Sequence, residues 1–233
     1  IVLGFREHLS QAQAEDTILF YFSGHGCQEA ANPIWTSEQD KKLECLVCHN
    51  SEDQYLLADK ELRFLIHELH QKAPQAHIVT LFDCCHSGDN TRNEQMQDSG
   101  EDIRERRYGR AFPERAWEDF IFADQLYKTD FEGKTISQVL PEGKHIQLAA
   151  CQSKESAWEV NGQGIFTKNL LEILERSEGD ITYYDLKSRL KFYVKAQKPQ
   201  SPQLYVQGKD NQDFFLTFLG KSRQSKPMYA RSN

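Results

Sequence analysis

No apolar run in the 233-residue chain approaches the 18 residues that a membrane-crossing helix requires, and the first residues carry no charged segment leading into an apolar one. Membrane partners and an export signal are therefore not expected. Basic excess is missing too: the net charge is −7, and the one basic cluster, Arg104 to Arg110, is broken by Glu105. A nucleic-acid partner is excluded on the same ground, since no Lys/Arg block is long enough to follow a phosphate backbone. Cysteine is too sparse for a disulfide scaffold. The six thiols, at 27, 45, 48, 84, 85 and 151, are read as reduced, which places the protein in the cytoplasm. No period repeats along the chain, and no initiator Met is present. The opening IVLGFREHLSQAQAEDT has the look of the back half of an amphipathic helix without a start signal, as in an excised or cleaved piece.

With 39% apolar residues, the chain has enough material for one α/β domain, spanning about 1 to 220, followed by a polar tail from 221 to 233. Strands are expected at TILFYFS (17 to 23), LECLVC (43 to 48), HIVTLFD (77 to 83), HIQLAA (145 to 150), QLYV and DFFLTFL. The first, third and fourth are continuous apolar runs, as in strands covered on both faces. ADKELRFLIHELHQKA reads as a helix with Asp59 as N-cap and Leu62, Leu65, Ile66 and Leu69 on one face. Further helices are expected near 165 to 176 and 182 to 196. Alternation of this kind predicts a mainly parallel sheet wrapped on both sides. Between Asp89 and Arg115, thirteen of twenty-seven residues are charged, which predicts a long mobile loop.

In a parallel sheet the chemistry collects beyond the carboxyl ends of the strands. Two strands here end alike: FYFS runs into Gly24-His25-Gly26, and TLFD into Cys84-Cys85-His86-Ser87-Gly88. If the strands are neighbours, an imidazole and a thiol share one rim. That is the pairing by which a cysteine becomes a thiolate and passes a proton to a leaving amine. The glycines beside His25 let backbone and ring approach a substrate. The N–H groups of Gly26 and the nucleophilic cysteine would form an oxyanion hole. A plain strand-to-loop turn is the other reading of Gly-His-Gly.

YFSGHG followed, sixty residues from histidine to cysteine, by DCCHSG resembles the metacaspase branch of the caspase-like cysteine peptidases. LVCHNSEDQYLLADKEL, HIQLAACQSKESAWE and GIFTKNLLEIL resemble the flanks in bacterial members of that group, and the likeness covers roughly 1 to 220. It implies a caspase-like three-layer α/β/α sandwich around a mainly parallel sheet. It makes Cys85 the nucleophile, His25 the base, and Gly26 with Cys85 the oxyanion donors. Cys84 falls on the variable position and reads as a small buried side chain; His86 reads as structural. Asp83 and Ser23 match lining residues of the pocket for the side chain preceding the cut, which implies protein substrates cleaved after Arg or Lys. Asp83 has the alternative reading of a strand-end carboxylate holding backbone N–H groups. Glu155 and Trp158 are candidates for neighbouring subsites. The 89–115 segment lies where the family separates its large and small portions, and its Arg104, Arg106, Arg107, Arg110 and Arg115 make self-cleavage an expectation.

The family's first strand and helix, which bring another acidic pocket residue, would lie before Ile1. Either a separate N-terminal fragment of the same protein supplies them or the pocket is incomplete. No cofactor is expected. Calcium remains an option because many metacaspases need it and Asp53, Asp59 and Asp89 are oxygen ligands of the right type. The acid that the family places a few residues past the nucleophile is unmatched, Arg92 standing seven after Cys85. Other readings stay open: Cys45-Leu-Val-Cys48-His49 has the haem-attachment pattern, and Cys45, Cys48 and two of Cys84, Cys85 and His86 have zinc-ligand chemistry. Ser23 and Ser87 lack the serine-hydrolase elbow. The main rival is a caspase-like scaffold that has lost catalysis.

Overall fold

The computed structural model describes residues 1–49, 56–85, 102–207 and 211–220. Asp53, His86, Ser87, Asp89, Arg92 and the 221–233 tail lie outside the described residues. A central sheet is built from β1 (Thr17–Ser23), β5 (His77–Asp83), β8 (His145–Ala149) and β11 (Gln203–Gln207) in that spatial order. β1, β5 and β8 run parallel; β11 closes the far side antiparallel to β8. The His77–Asp83 run is mostly apolar and buried without alternation because it is an inner strand covered on both faces. Ile78 and Phe82 face the helix α1 (Asp59–Lys72) through Leu65, Ile66 and Leu69. Val79 and Leu81 face α3 (Ile165–Arg176) and α4 (Tyr183–Gln197) through Phe166, Leu170, Leu186 and Leu190. The result is a three-layer α/β/α sandwich around a mainly parallel sheet.

A second sheet stands beside the first, in the order β4 (Leu56–Ala58), β3 (Lys42–Val47), β2 (Gly26–Ala30) and β7 (Arg107–Phe112). It packs on an aromatic cluster of Trp35, Trp117, Phe120, Phe122 and Phe131, with Phe64 of α1 joining it and the short helix α2 (Ile136–Val139) at its margin. A third, small sheet joins β10 (Gln163–Gly164), β9 (Trp158–Val160) and β6 (Ile103–Glu105).

Four expectations are corrected. β1 lies at the sheet's edge, so Leu19 and Tyr21 are 42% and 43% exposed instead of covered. Ala58, not Asp59, precedes the first turn of α1, and the Glu61 carboxylate accepts the Ala58 N–H at 2.8 Å, completing that helix end from within. DFFLTFL forms short 3-10 turns joined by a single bridge, Thr182 to Thr217, because Phe218 anchors it to the helical layer rather than to a strand. Residues 102–112 are not an open loop but two strands, each paired to a partner distant in sequence. No helix among the described residues is long and apolar enough to cross a membrane.

Candidate active site

The β1–β5 register pairs Ser23 with Asp83, and the Gly24 N–H donates to the Asp83 carbonyl at 3.3 Å. His25 and Cys85 are each two residues beyond that pair, so both loops leave the same rim of the sheet. His25 is exposed, and its carbonyl accepts the Val47 N–H at 3.0 Å, which fixes the turn from β1 into β2. Gly26 opens β2. Cys85 has no exposed surface; it borders Ala150, Cys151 and Ala157 on the α3 side of the sheet, whereas Cys84 turns the other way into the core under α1. Burial pushes the Cys84 thiol well up, as befits a packing residue, and does the same to Cys151, whose thiol sits by the carbonyls of Cys84 and Glu155.

What lies over Cys85 is the chain itself. The Cys85 N–H donates to the Arg106 carbonyl at 3.3 Å, and the Arg106 N–H donates to the Ala157 carbonyl at 2.8 Å. Upstream of Arg106, β6 runs antiparallel to β9, with Ile103 opposite Val160, Arg104 opposite Glu159 and Glu105 opposite Trp158. The Asn161 N–H closes this ladder on the Asp102 carbonyl at 2.8 Å.

The Arg106 side chain, 8% exposed, enters the space between the ends of β1 and β5. Its Nη1 donates to Ser23 Oγ and, at 3.1 Å, to the Asp83 carbonyl, and it lies 3.5 Å from Asp83 Oδ2. Its Nε is 3.2 Å from Glu159 Oε2. Asp83 is wholly buried; its Oδ2 also accepts from the N–H of Thr167 at 3.2 Å and from its hydroxyl at 2.5 Å. Since that hydroxyl proton is committed, Tyr21 is the donor in its 2.8 Å bond to Thr167 Oγ1. Asp83 Oδ1 has no hydrogen-bond partner among the described residues, so the carboxylate keeps acceptor capacity for a cation. Burial raises the Asp83 pKa against the opposing pull of Arg106 and Thr167. Gly164 completes the wall: a Cβ there would collide with the Asp83 carboxylate and come within 2.8 Å of Arg106 Cζ.

Asp83 and Ser23 thus meet a guanidinium, and Cys85 meets the carbonyl of the same residue. Trp158 flanks Glu105 across the β6–β9 pairing, its own N–H held by Gln200 at 3.1 Å and its ring 5.2 Å from Lys198 Nζ. Glu155 is placed differently from expectation. Its Oε2 accepts the N–H groups of Ser201, at 2.7 Å, and Gln152, at 3.3 Å, which ties the loop after β8 to the approach to β11. Glu159, which the sequence reading did not single out, is a second acid beside the Arg106 guanidinium. A local signal for it exists in Asn161-Gly162, both at positive φ, which marks a β9–β10 hairpin and sets Glu159 opposite Gly164.

Of the other arginines, Arg104 is solvent-facing and paired with Asp102 at 2.7 Å, and Arg110 lies over the Phe112 ring. Arg115 is part-buried between Glu29 and Glu61, at 2.8 and 2.9 Å, and against Phe120. The suggested zinc ligands are dispersed: Cys45 belongs to the aromatic core, Cys48 and Cys84 to the core under α1, and Cys85 to the core under α3 and α4. Among the described residues no cluster of three His, Cys, Asp or Glu side chains is arranged for a metal.

A family model described as the caspase domain matches residues 3–215. Among solved structures, a protein from Geobacter sulfurreducens shares the fold with a TM-score of 0.58 at 19% identity, over 92% of this chain and 74% of that one. No curated protein matches.

Proposed function

This chain belongs to the caspase-domain family of cysteine peptidases, and on that premise we propose that it is a metacaspase-like endopeptidase that cleaves proteins after Arg or Lys by a Cys85–His25 dyad. The observation that supports it most is the guanidinium held between the buried Asp83 carboxylate, Ser23 and Glu159. A carboxylate without water around it discriminates strongly, because an uncharged or anionic side chain would leave it unpaired. An aspartate in the same place would add like charge to two acids.

In the proposed reaction Cys85 gives its proton to His25 and its sulfur attacks the carbonyl carbon following the bound cation. The N–H groups of Cys85 and Gly26 stabilise the oxyanion. His25 then protonates the leaving amine, and water hydrolyses the thioester. Trp158 lines the adjoining subsite, whereas Glu155 supports it through the loop it braces. Self-processing within residues 89–115 belongs to the same reading, as does action in the cytoplasm. No step draws on a metal or cofactor; calcium ligation by Asp59 with Asp53 and Asp89 is a separate proposal that a titration followed by activity would test.

The test is hydrolysis of fluorogenic peptides ending in Arg, Lys or Asp by the protein and by Cys85→Ala. Turnover of the Arg and Lys peptides, lost in the variant, is expected; turnover of the Asp peptide would overturn the pocket assignment. One observation favours the rival scaffold reading, namely that Cys85 is fully buried beneath the chain's own segment. Absence of turnover on all three peptides would decide for it.

A further inference from the structure

We infer that the bond this protein cuts in itself is Arg106–Arg107, and that residues 102–106, until cut, occupy its own cleft as a substrate strand that shuts out others. The inference rests on the peptidase reading above and adds the identity of the substrate. Side-chain chemistry alone does not choose among five arginines, but the backbone does. Among the described residues only Arg106 combines a guanidinium at Asp83 with a carbonyl on the Cys85 N–H. The residue that follows, Arg107, is the register partner of Gly26 in the parallel β2–β7 pairing. The Arg106–Arg107 peptide therefore bridges the two loops that carry Cys85 and His25, with one flank in each of two sheets.

The flanks are held unequally. Upstream, β6 is the outer strand of a three-stranded sheet, paired with β9 alone, so the segment reproduces how an extended peptide adds to a free strand edge. Downstream, β7 belongs to the larger sheet and runs toward Arg115, which is locked to Glu29 and Glu61. Cutting at Arg106 leaves the downstream piece in place. Among the described residues the upstream piece is then held by the β9 edge, by the backbone bonds of Arg106 to Cys85 and Ala157, and by the pocket, where another strand with Arg at its end can displace it.

The step balances without a co-reactant beyond water. The Cys85 sulfur bonds to the Arg106 carbonyl carbon, and the thiol proton passes to His25. The C–N bond to Arg107 breaks with the electron pair on nitrogen, which takes that proton. Water then splits the thioester, returning the thiol and leaving a carboxylate on Arg106 and an amine on Arg107.

The experiment is incubation of the full chain, with intact mass and terminal sequencing over time, alongside Cys85→Ala, Arg106→Gln and Arg104→Gln. A cut yielding a new N-terminus at Arg107 is expected in the unaltered chain and in Arg104→Gln. None is expected in the other two variants. A synthetic peptide of residues 102–112, given to the cut protein, should be hydrolysed at the same bond; this arm stands even where Arg106→Gln folds poorly. Arg-peptide turnover should rise at least tenfold as the cut accumulates. Cys85-dependent hydrolysis of Arg peptides with an unchanged intact mass, or with new termini after Arg104, Arg110 or Arg115, would overturn this inference and leave the peptidase reading intact. Loss of all peptide turnover would bring down both.

Discussion

Replacing Asp83 by Asn keeps the shape of the pocket floor and removes its charge. The Asn oxygen can still accept from Thr167, so the end of β5 and the start of α3 stay joined. What is lost is the ion pair between a nearly buried guanidinium and a carboxylate that has no exposed surface. Truncating one side of a buried charged pair costs about 2–5 kcal/mol. Ser23 and Glu159 remain to hold the cation, so the lower part applies, about 2–3.5 kcal/mol, or about 30- to 400-fold in kcat/KM for an Arg peptide. The pH dependence separates this from a general loss. Burial raises the Asp83 pKa above the ordinary 3.8, and only the carboxylate pairs with arginine. Arg-peptide kcat/KM should therefore fall as pH drops through that raised value in the parent and lose this limb in Asp83→Asn. In stability the sign runs the other way: the folded carboxyl keeps its proton to higher pH than the unfolded one, so its contribution is largest in acid and declines as pH rises above 3.8. Peptide kinetics on the self-cut protein from just above pH 3.8 up to pH 8 provide the assay. An Asn variant within threefold of the parent at every pH would refute the role given to Asp83.

Glu159→Gln should raise KM for Arg peptides about fivefold, the equivalent of about 1 kcal/mol for a partly exposed pair, and leave Lys peptides nearly unchanged, since lysine offers no Nε to this carboxylate. Paired KM measurements check it. Gly164→Ala should lower Arg-peptide turnover at least tenfold while the helix after it stays formed. Gly164 has φ −62°, open to any residue, so the cost comes from the Cβ entering the guanidinium's space; circular dichroism beside kinetics would show the split. Arg115→Met strands two buried carboxylates and should cost about 3–5 kcal/mol of stability in urea unfolding. The loss should be smaller at pH 5 than at pH 8, because burial already raises the Glu29 pKa against the pull of Arg115 and protonation relieves it.

Much of the frame is local in origin and hence legible in one dimension. HIVTLFD shows no alternation because a strand with helices on both faces is buried at every position from Ile78 to Asp83, and α1, α3 and α4 display one apolar stripe each. The two loops that carry His25 and Cys85 are short motifs at strand ends, and parallel neighbours bring them to one rim by the register of Ser23 with Asp83. Asp83 and Ser23 were legible for the same reason, as residues just before those loops.

The segment from 102 to 112 was not legible, and the reason is physical. Its charge pattern is that of a solvated loop, and its strands have no apolar period, because their stability comes from hydrogen bonds to β9 and β2, more than fifty residues away in each case. Arg106 differs from Arg104 or Arg110 in nothing a sequence displays. It is set apart by a neutralising pocket that exists only when β1, β5, β9 and the glycine before α3 have been assembled. Glu159 depends on the same assembly, as does the bracing role of Glu155. Residue types and local periodicity by themselves determined the layers and the two strand-end loops that carry His25 and Cys85, because those follow from short-range backbone preference and burial. The tertiary structure alone decided which charge meets which, because a buried ion pair is defined by the distance between chain segments and not by either segment.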